Sequence, residues 1–177
     1  SLLNRHMKYP QGGYADSAAR DWLRDDWINF WVKNRTGAAK LLNSNMHLFE
    51  AIYNLAQAAP EPWILQSLRD ELEFLLGTVV DRKLHHLKAA MDVSGARLDH
   101  EINYGHDAEC SYLLTGAAEL LGDADLIRRA RETAVDLMDH VLAEGMDPEY
   151  GGLYRRQRQR GDQPCEDLVG PGGRDHS

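Results

Sequence analysis

Cysteine is scarce in this chain: Cys110 and Cys165 are the only two among 177 residues. Two thiols cannot make a disulfide framework, and Cys110 falls inside a helical pattern, so a reducing cytoplasm is the expected setting. Long apolar runs are also missing. Nothing approaches the roughly 18–20 residues needed to span a bilayer, and Ser1 to Pro10 lack the apolar core of a secretory signal. No membrane partner is expected. Positive charge is outnumbered, with 20 Lys and Arg against 28 Asp and Glu for a formal net charge of −8. Such a field repels a phosphate backbone, which argues against nucleic acid as a partner. A Gly-rich phosphate loop and a Ser-centred nucleophile elbow are absent too.

What remains is an ordinary globular profile, 43% apolar and 27% charged. The length suits one domain with its own core. From Asn45 to Ala59 the residues Leu48, Phe49, Ile52 and Leu55 recur at helical spacing, and Pro60 ends the run. Pro62 suits the first turn of a second helix with one stripe of Ile64, Leu65, Leu68, Leu72, Leu75, Leu76 and Val79. A third helix is predicted from Asp107 to Leu121, stopped by Gly122. A fourth begins near Asp123 to Asp125, carries Ile127, Ala130, Ala134, Leu137, Met138 and Val141, and stops at Gly145. Links this short make each pair an antiparallel hairpin.

The hairpins read as repeats. The first opens with Met46-His47-Leu48-Phe49-Glu50-Ala51 and the second with Gly105-His106-Asp107-Ala108-Glu109-Cys110. A shorter echo, Gln11-Gly12-Gly13-Tyr14 and Tyr150-Gly151-Gly152-Leu153-Tyr154, flanks them. Repeated helical hairpins cannot bury their stripes alone, so they stack or close into a ring. Residues 14–42, with Trp22, Trp27, Phe30 and Trp31, read as a mixed segment, compatible with helix or with extended loop. Asp81 to Tyr104 reads as a long connection with short strands. The Arg-rich stretch from Arg155 to Ser177 has almost no aliphatic residues and is expected to be a disordered, solvated tail after a domain of residues 1–154.

Chemistry concentrates at the two motifs. His47, Glu50 and Asn54 fall at i, i+3 and i+7, a polar stripe beside an apolar one, as on a helix lining a cavity. His106 and Glu109 stand at the N-terminal end of their helix, where the positive end of the dipole disfavours imidazolium. A neutral imidazole there suits proton abstraction from carbon, with a glutamate three residues on to orient it or to accept a substrate hydroxyl. One His-x-x-Glu alone is common and more often a cap or surface group. His and Glu at this spacing also reach a single metal ion, although di-metal carboxylate bundles use the reverse order and need further carboxylates. His85, His86, His100 and His140 read as surface or loop polar residues, and Cys110 as a small packing residue.

With Asn43-Ser44-Asn45-Met46-His47-Leu48-Phe49-Glu50-Ala51, Tyr104-Gly105-His106-Asp107-Ala108-Glu109 and the Gly-Gly-Leu-Tyr turn, the sequence resembles the N-acylglucosamine 2-epimerase superfamily. That group includes cellobiose 2-epimerases and mannose isomerases. The resemblance spans about Gly12 to Tyr154. It implies an all-α fold, helical-hairpin repeats forming part of an (α/α)6 barrel. It implies proton transfer at C2 of a sugar through an enediolate, giving the epimer or the ketose. It implies no metal and no organic cofactor, and a small-molecule sugar as the partner. By resemblance His106 is one of two acid–base histidines, His47 assists ring opening and steadies the enediolate, and Glu109 contacts sugar or histidine. Glu50, Asn45, Asn54, Tyr112 and Asp107 complete the expected substrate-binding set. Tyr112 stands where cellobiose 2-epimerases usually carry Trp. The second acid–base histidine belongs to a later helix of the family barrel, so the chain is expected to be a partial ring that does not complete epimerisation alone. Its open edges favour homo-oligomers. The alternative is a non-catalytic α-helical repeat module that mediates protein association. A toroid glycan hydrolase would need paired acids across a cleft, and Asp107 and Glu109 are too local to supply them.

Overall fold

A computed structural model describes residues 2–18, 20–22, 38–98 and 101–154, with the backbone of 157–158. Trp27, Phe30, Trp31, His100 and most of the Arg-rich tail lie outside the described residues.

After a short helix α1 (Leu2–His6) come two long hairpins. The first joins α2 (Leu42–Ala58) to α3 (Pro62–Phe74), which runs on into a π-helical turn, Leu75–Val79. The second joins α4 (Tyr104–Leu121) to α5 (Ala124–Glu144). Local chemistry sets these limits. Pro62 occupies the first turn of α3, where its missing N–H costs nothing. Asn103 Oδ1 caps α4 by accepting the His106 backbone N–H at 3.2 Å. Gly122 closes α4 in the left-handed region at φ +68°, and Asp123 immediately caps α5 by accepting the N–H groups of Asp125 and Leu126. Gly122-Asp123 is thus the whole link between the two helices.

The four helices share one core in which Phe49, Leu68, Leu72, Leu114 and Leu137 are fully buried. On α2 the buried stripe is Leu42, Asn45, Met46, Phe49 and Ala56. Leu55, expected in the core, is 45% exposed, because the buried face passes through the next residue, Ala56.

The connections carry three short antiparallel strand pairs. β1 (Lys40–Leu41) pairs with β4 (Ala90–Met91), and β2 (Val80–Asp81) pairs with β3 (His86–Leu87). β5 (Glu101–Ile102) pairs with β6 (Gln157–Arg158). The last pairing orders two residues of a tail expected to be disordered, by giving their backbone groups a ladder partner.

Both Gly-Gly echoes are tight turns of the same kind. Gly12 and Gly13 have φ of +86° and +72°, and Gly151 and Gly152 have +73° and +84°. The Tyr9 N–H donates to Gly13 O at 2.9 Å, and the Asp147 N–H donates to Gly152 O at 3.0 Å. At Gly13 a methyl group would come within 2.4 Å of Phe74 Cζ. Gly13→Ala therefore adds left-handed strain to an overlap, and urea unfolding should show a loss of about 1–3 kcal/mol.

Candidate active site

The inner helices of the two hairpins, α2 and α4, lie side by side and run in the same direction. Near their starts His47 and Glu50 on α2 meet Glu109 on α4. Further along, Tyr53 on α2 lies over Gly116 on α4, where a side chain would come within 2.5 Å of Tyr53 Oη. Gly116 thus permits the close approach.

At the N-terminal half of this pair, His47 Nδ1 lies 3.1 Å from Glu50 Oε2, and both side chains are half-exposed. Glu109 joins them: one donor atom from each of His47, Glu50 and Glu109 lies within 4.8 Å of the others. The separation would admit a metal ion as well as a sugar hydroxyl. His106 stands one turn before Glu109 and is partly buried, and Tyr112 stands one turn after it, 70% exposed. Asn54 is exposed at the far end of the α2 stripe, accepting from Gln57 Nε2 at 3.4 Å. Tyr53 flanks Tyr112, and its hydroxyl is held above the usual phenol range chiefly by burial, with a further contribution from the Glu119 carboxylate. Six of the expected residues therefore sit on adjoining solvent-facing parts of two neighbouring helices.

Two others face the opposite way. Asp107 is 1% exposed, and its carboxylate accepts from the Leu87 backbone N–H at 2.9 Å and meets His86 Nδ1 at 2.8 Å. Asn45 is 1% exposed and clamps Tyr14, accepting its N–H at 2.7 Å and donating to its carbonyl at 3.1 Å. Neither is placed to touch a ligand on the open face. Their spacing carries the signal: Asp107 is in register with Cys110 and Leu114, and Asn45 with Phe49 and Ala56, all buried.

His86, expected as a loop polar residue, is likewise 1% exposed. Burial pulls its pKa down, but the hydrogen bond and charge of Asp107 and the charge of Glu144 outweigh it, and the net shift is upward. This buried pair anchors the β2–β3 hairpin to α4 at the residue after His106. Lys40 is also buried, donating to Val93 O at 2.8 Å with its ammonium over the rings of Tyr9 and Phe74. Desolvation lowers its pKa, opposed by Asp92 and Glu71.

No protein-family model matches the chain. It is similar to the cellobiose 2-epimerase of Bacteroides fragilis, 26% identical over 151 residues that make up 85% of this chain and 38% of that protein. The cellobiose 2-epimerase of Dictyoglomus turgidum is 27% identical over 120 residues, 68% of this chain and 30% of that protein. Among solved structures, a sugar epimerase from a ruminal bacterium superposes with a TM-score of 0.79 at 22% identity, covering 90% of this chain and 40% of the other. A D-mannose isomerase gives 0.68 at 17% identity, covering 85% and 38%. The chain spans well under half the length of these relatives.

Fold and comparisons together define the class: an all-α assembly of helical hairpins, part of an (α/α)6 barrel. The resemblance to the N-acylglucosamine 2-epimerase superfamily, first carried by two motifs, is borne out by cellobiose 2-epimerases aligned over most of the chain. Among the described residues no helix is long and apolar enough to cross a membrane.

Proposed function

We propose that the α2–α4 face is one wall of a sugar pocket, used for proton transfer at C2 of a reducing sugar in a 2-epimerase or aldose–ketose isomerase. The observation that carries this reading is the meeting of His47, Glu50 and Glu109 from two separate helices, with His106 one turn away. Opening of the sugar ring exposes a C1 aldehyde, which acidifies the C2 proton. In this reading His106 takes that proton, and His47 stands near O1, donating to the hydroxyl or to the enediolate oxygen that replaces the carbonyl. Glu50 fixes the His47 ring through their 3.1 Å contact, and Glu109 orients His106 or accepts a sugar hydroxyl. Tyr112 offers an exposed aromatic surface for the pyranose. Asn54 lies farther along the wall, within reach of a longer substrate. Inversion needs a second acid–base group on the opposite face of the carbon, so the wall described here supplies half of an epimerase mechanism. The names of the relatives, cellobiose 2-epimerase and D-mannose isomerase, support a sugar as the ligand.

Titration of the isotopically labelled chain with mannose, glucose, N-acetylglucosamine and cellobiose tests this. The expected result is saturable NMR shifts centred on His47, Glu50, His106, Glu109 and Tyr112, abolished by His47→Ala. Shifts confined to other surfaces, or none with any of the four sugars, would overturn the reading.

A further inference from the structure

His86 is a buried titratable group with no part in the α2–α4 wall, and it lies between carboxylates contributed by two different helices. Its Nδ1 is 2.8 Å from Asp107 Oδ2 in the first turn of α4. Its Nε2 is 3.6 Å from Oε2 of Glu144, the last residue of α5. The other Asp107 oxygen accepts the Leu87 N–H at 2.9 Å, so a side chain and a main-chain amide of the β2–β3 hairpin end on one carboxylate. The rings of Tyr104 and His140 flank His86 nearly at right angles, with centroids at 5.6 and 6.0 Å. Tyr104, the first residue of α4, also packs on Gly145, where a methyl group would come within 2.7 Å of its Cγ.

The charged and titratable groups around His86 are therefore Asp107 and Tyr104 on α4, Glu144 and His140 on α5, and Asp81 opposite it in the β2–β3 ladder. Asp81 is engaged by Arg97 at 3.5 Å, and His140 stacks on His85, whose Nδ1 meets Asp136 at 2.8 Å. A neutral imidazole carries a single N–H. It donates either to Asp107 or toward Glu144, and the bare nitrogen then turns a lone pair to a carboxylate. Only the imidazolium presents a donor to both. Desolvation lowers the His86 pKa, and the two carboxylates more than restore it.

We infer that His86 is a positioning residue, a buried imidazolium clamped between Asp107 and Glu144 that fixes the first turn of α4 and with it His106. Asp107 directly follows His106, so the clamp holds the stretch of backbone that carries the histidine of the wall. Loss of the proton turns the attraction between Nε2 and Glu144 into repulsion, and the Glu144 side chain, 48% exposed, has solvent to turn into. The clamp is complete below the ordinary histidine pKa of 6.5 and is lost as pH rises through the raised folded value. It stands on its own geometry, while its service to sugar chemistry rests on the reading of the α2–α4 face given above.

Long-range proton–nitrogen spectra of the histidine rings, recorded on the labelled chain between about pH 5 and 9, are the test. The expected result is a His86 ring that is mostly imidazolium at pH 6.5, where an ordinary histidine is half titrated. Glu144→Gln should move its midpoint to lower pH with the circular dichroism unchanged. The His106 amide should inflect at the His86 midpoint and follow it in Glu144→Gln, a link that a contact serving the fold alone would not produce. A neutral His86 ring at pH 6.5, or a midpoint indifferent to Glu144→Gln, would overturn the clamp. A His106 amide blind to that midpoint would overturn the positioning role. No sugar is present, so these readouts succeed or fail separately from the sugar titration.

Discussion

Replacing Asp107 with alanine should lower the stability of the chain by about 3–5 kcal/mol, the range for removing one partner of a buried ion pair. Asp107 and His86 are each 1% exposed, and one carboxylate serves two clients, the imidazole at 2.8 Å and the Leu87 N–H at 2.9 Å. Truncation strands both donors where water does not reach them. An orphaned amide alone costs about 1–3 kcal/mol, and an orphaned imidazole adds to it. The effect should appear in urea unfolding as a lower midpoint at an unchanged slope. A loss below about 1 kcal/mol would mean that the pair is not closed to solvent as described. Because Asp107 directly follows His106, the same change should broaden the His106 resonances, which separates a shared anchor from a purely remote one.

Glu71→Gln should stabilise the chain, by an amount that grows from about pH 4.5 and levels off above about pH 7. Glu71 is 1% exposed on α3, and its Oε1 has no hydrogen-bond partner among the described residues, with Lys8 Nζ as an ion-pair partner 3.6 Å away. Burial pushes its pKa up to about 7 from an ordinary 4.5, and the attraction of Lys8 offsets only part of that. The folded chain therefore holds this proton more tightly than the unfolded chain. Its contribution to stability is fully present below about pH 4.5 and is lost as pH rises through about 7. At about 1.4 kcal/mol per pH unit the whole loss comes to roughly 3 kcal/mol. Glutamine keeps the shape and cannot ionise, so its advantage should approach that figure at pH 8.5 and vanish near pH 4.5. Urea midpoints at the two values decide it, and a constant offset between the proteins would refute the assignment.

The helices were legible in the sequence because their signals are local. Pro60 and Pro62, Gly122 with Asp123, and Gly145 mark boundaries that backbone sterics and capping enforce whatever surrounds them. The Gly-Gly echoes were legible for the same reason. The polar stripe of His47, Glu50 and Asn54 was readable as a face separate from the apolar one, since a 3.6-residue period is a property of the helix alone. At Asn45 and Asp107 the motif and the wheel point different ways: each lies on the apolar stripe, where its polar side chain clamps a neighbouring segment. His86 was beyond reach for a different reason. Its burial depends on Asp107, Tyr104 and Glu144, far along the chain, and no local pattern announces that convergence. Lys40 and Glu71 belong with it, polar side chains enclosed by elements that meet only in three dimensions.

The β5–β6 pairing has a kinetic corollary. Each helical hairpin is joined by a link of a few residues, so its contacts close short loops and carry little entropic cost. Gln157 and Arg158 reach Ile102 and Glu101 only after the chain has travelled the full length of α4 and α5. That rung rewards nothing until the hairpin between them exists, so the strand pair that fastens the start of α4 is expected to form after the helical pairs, and amide exchange at Ile102 should be faster than in the α4–α5 core.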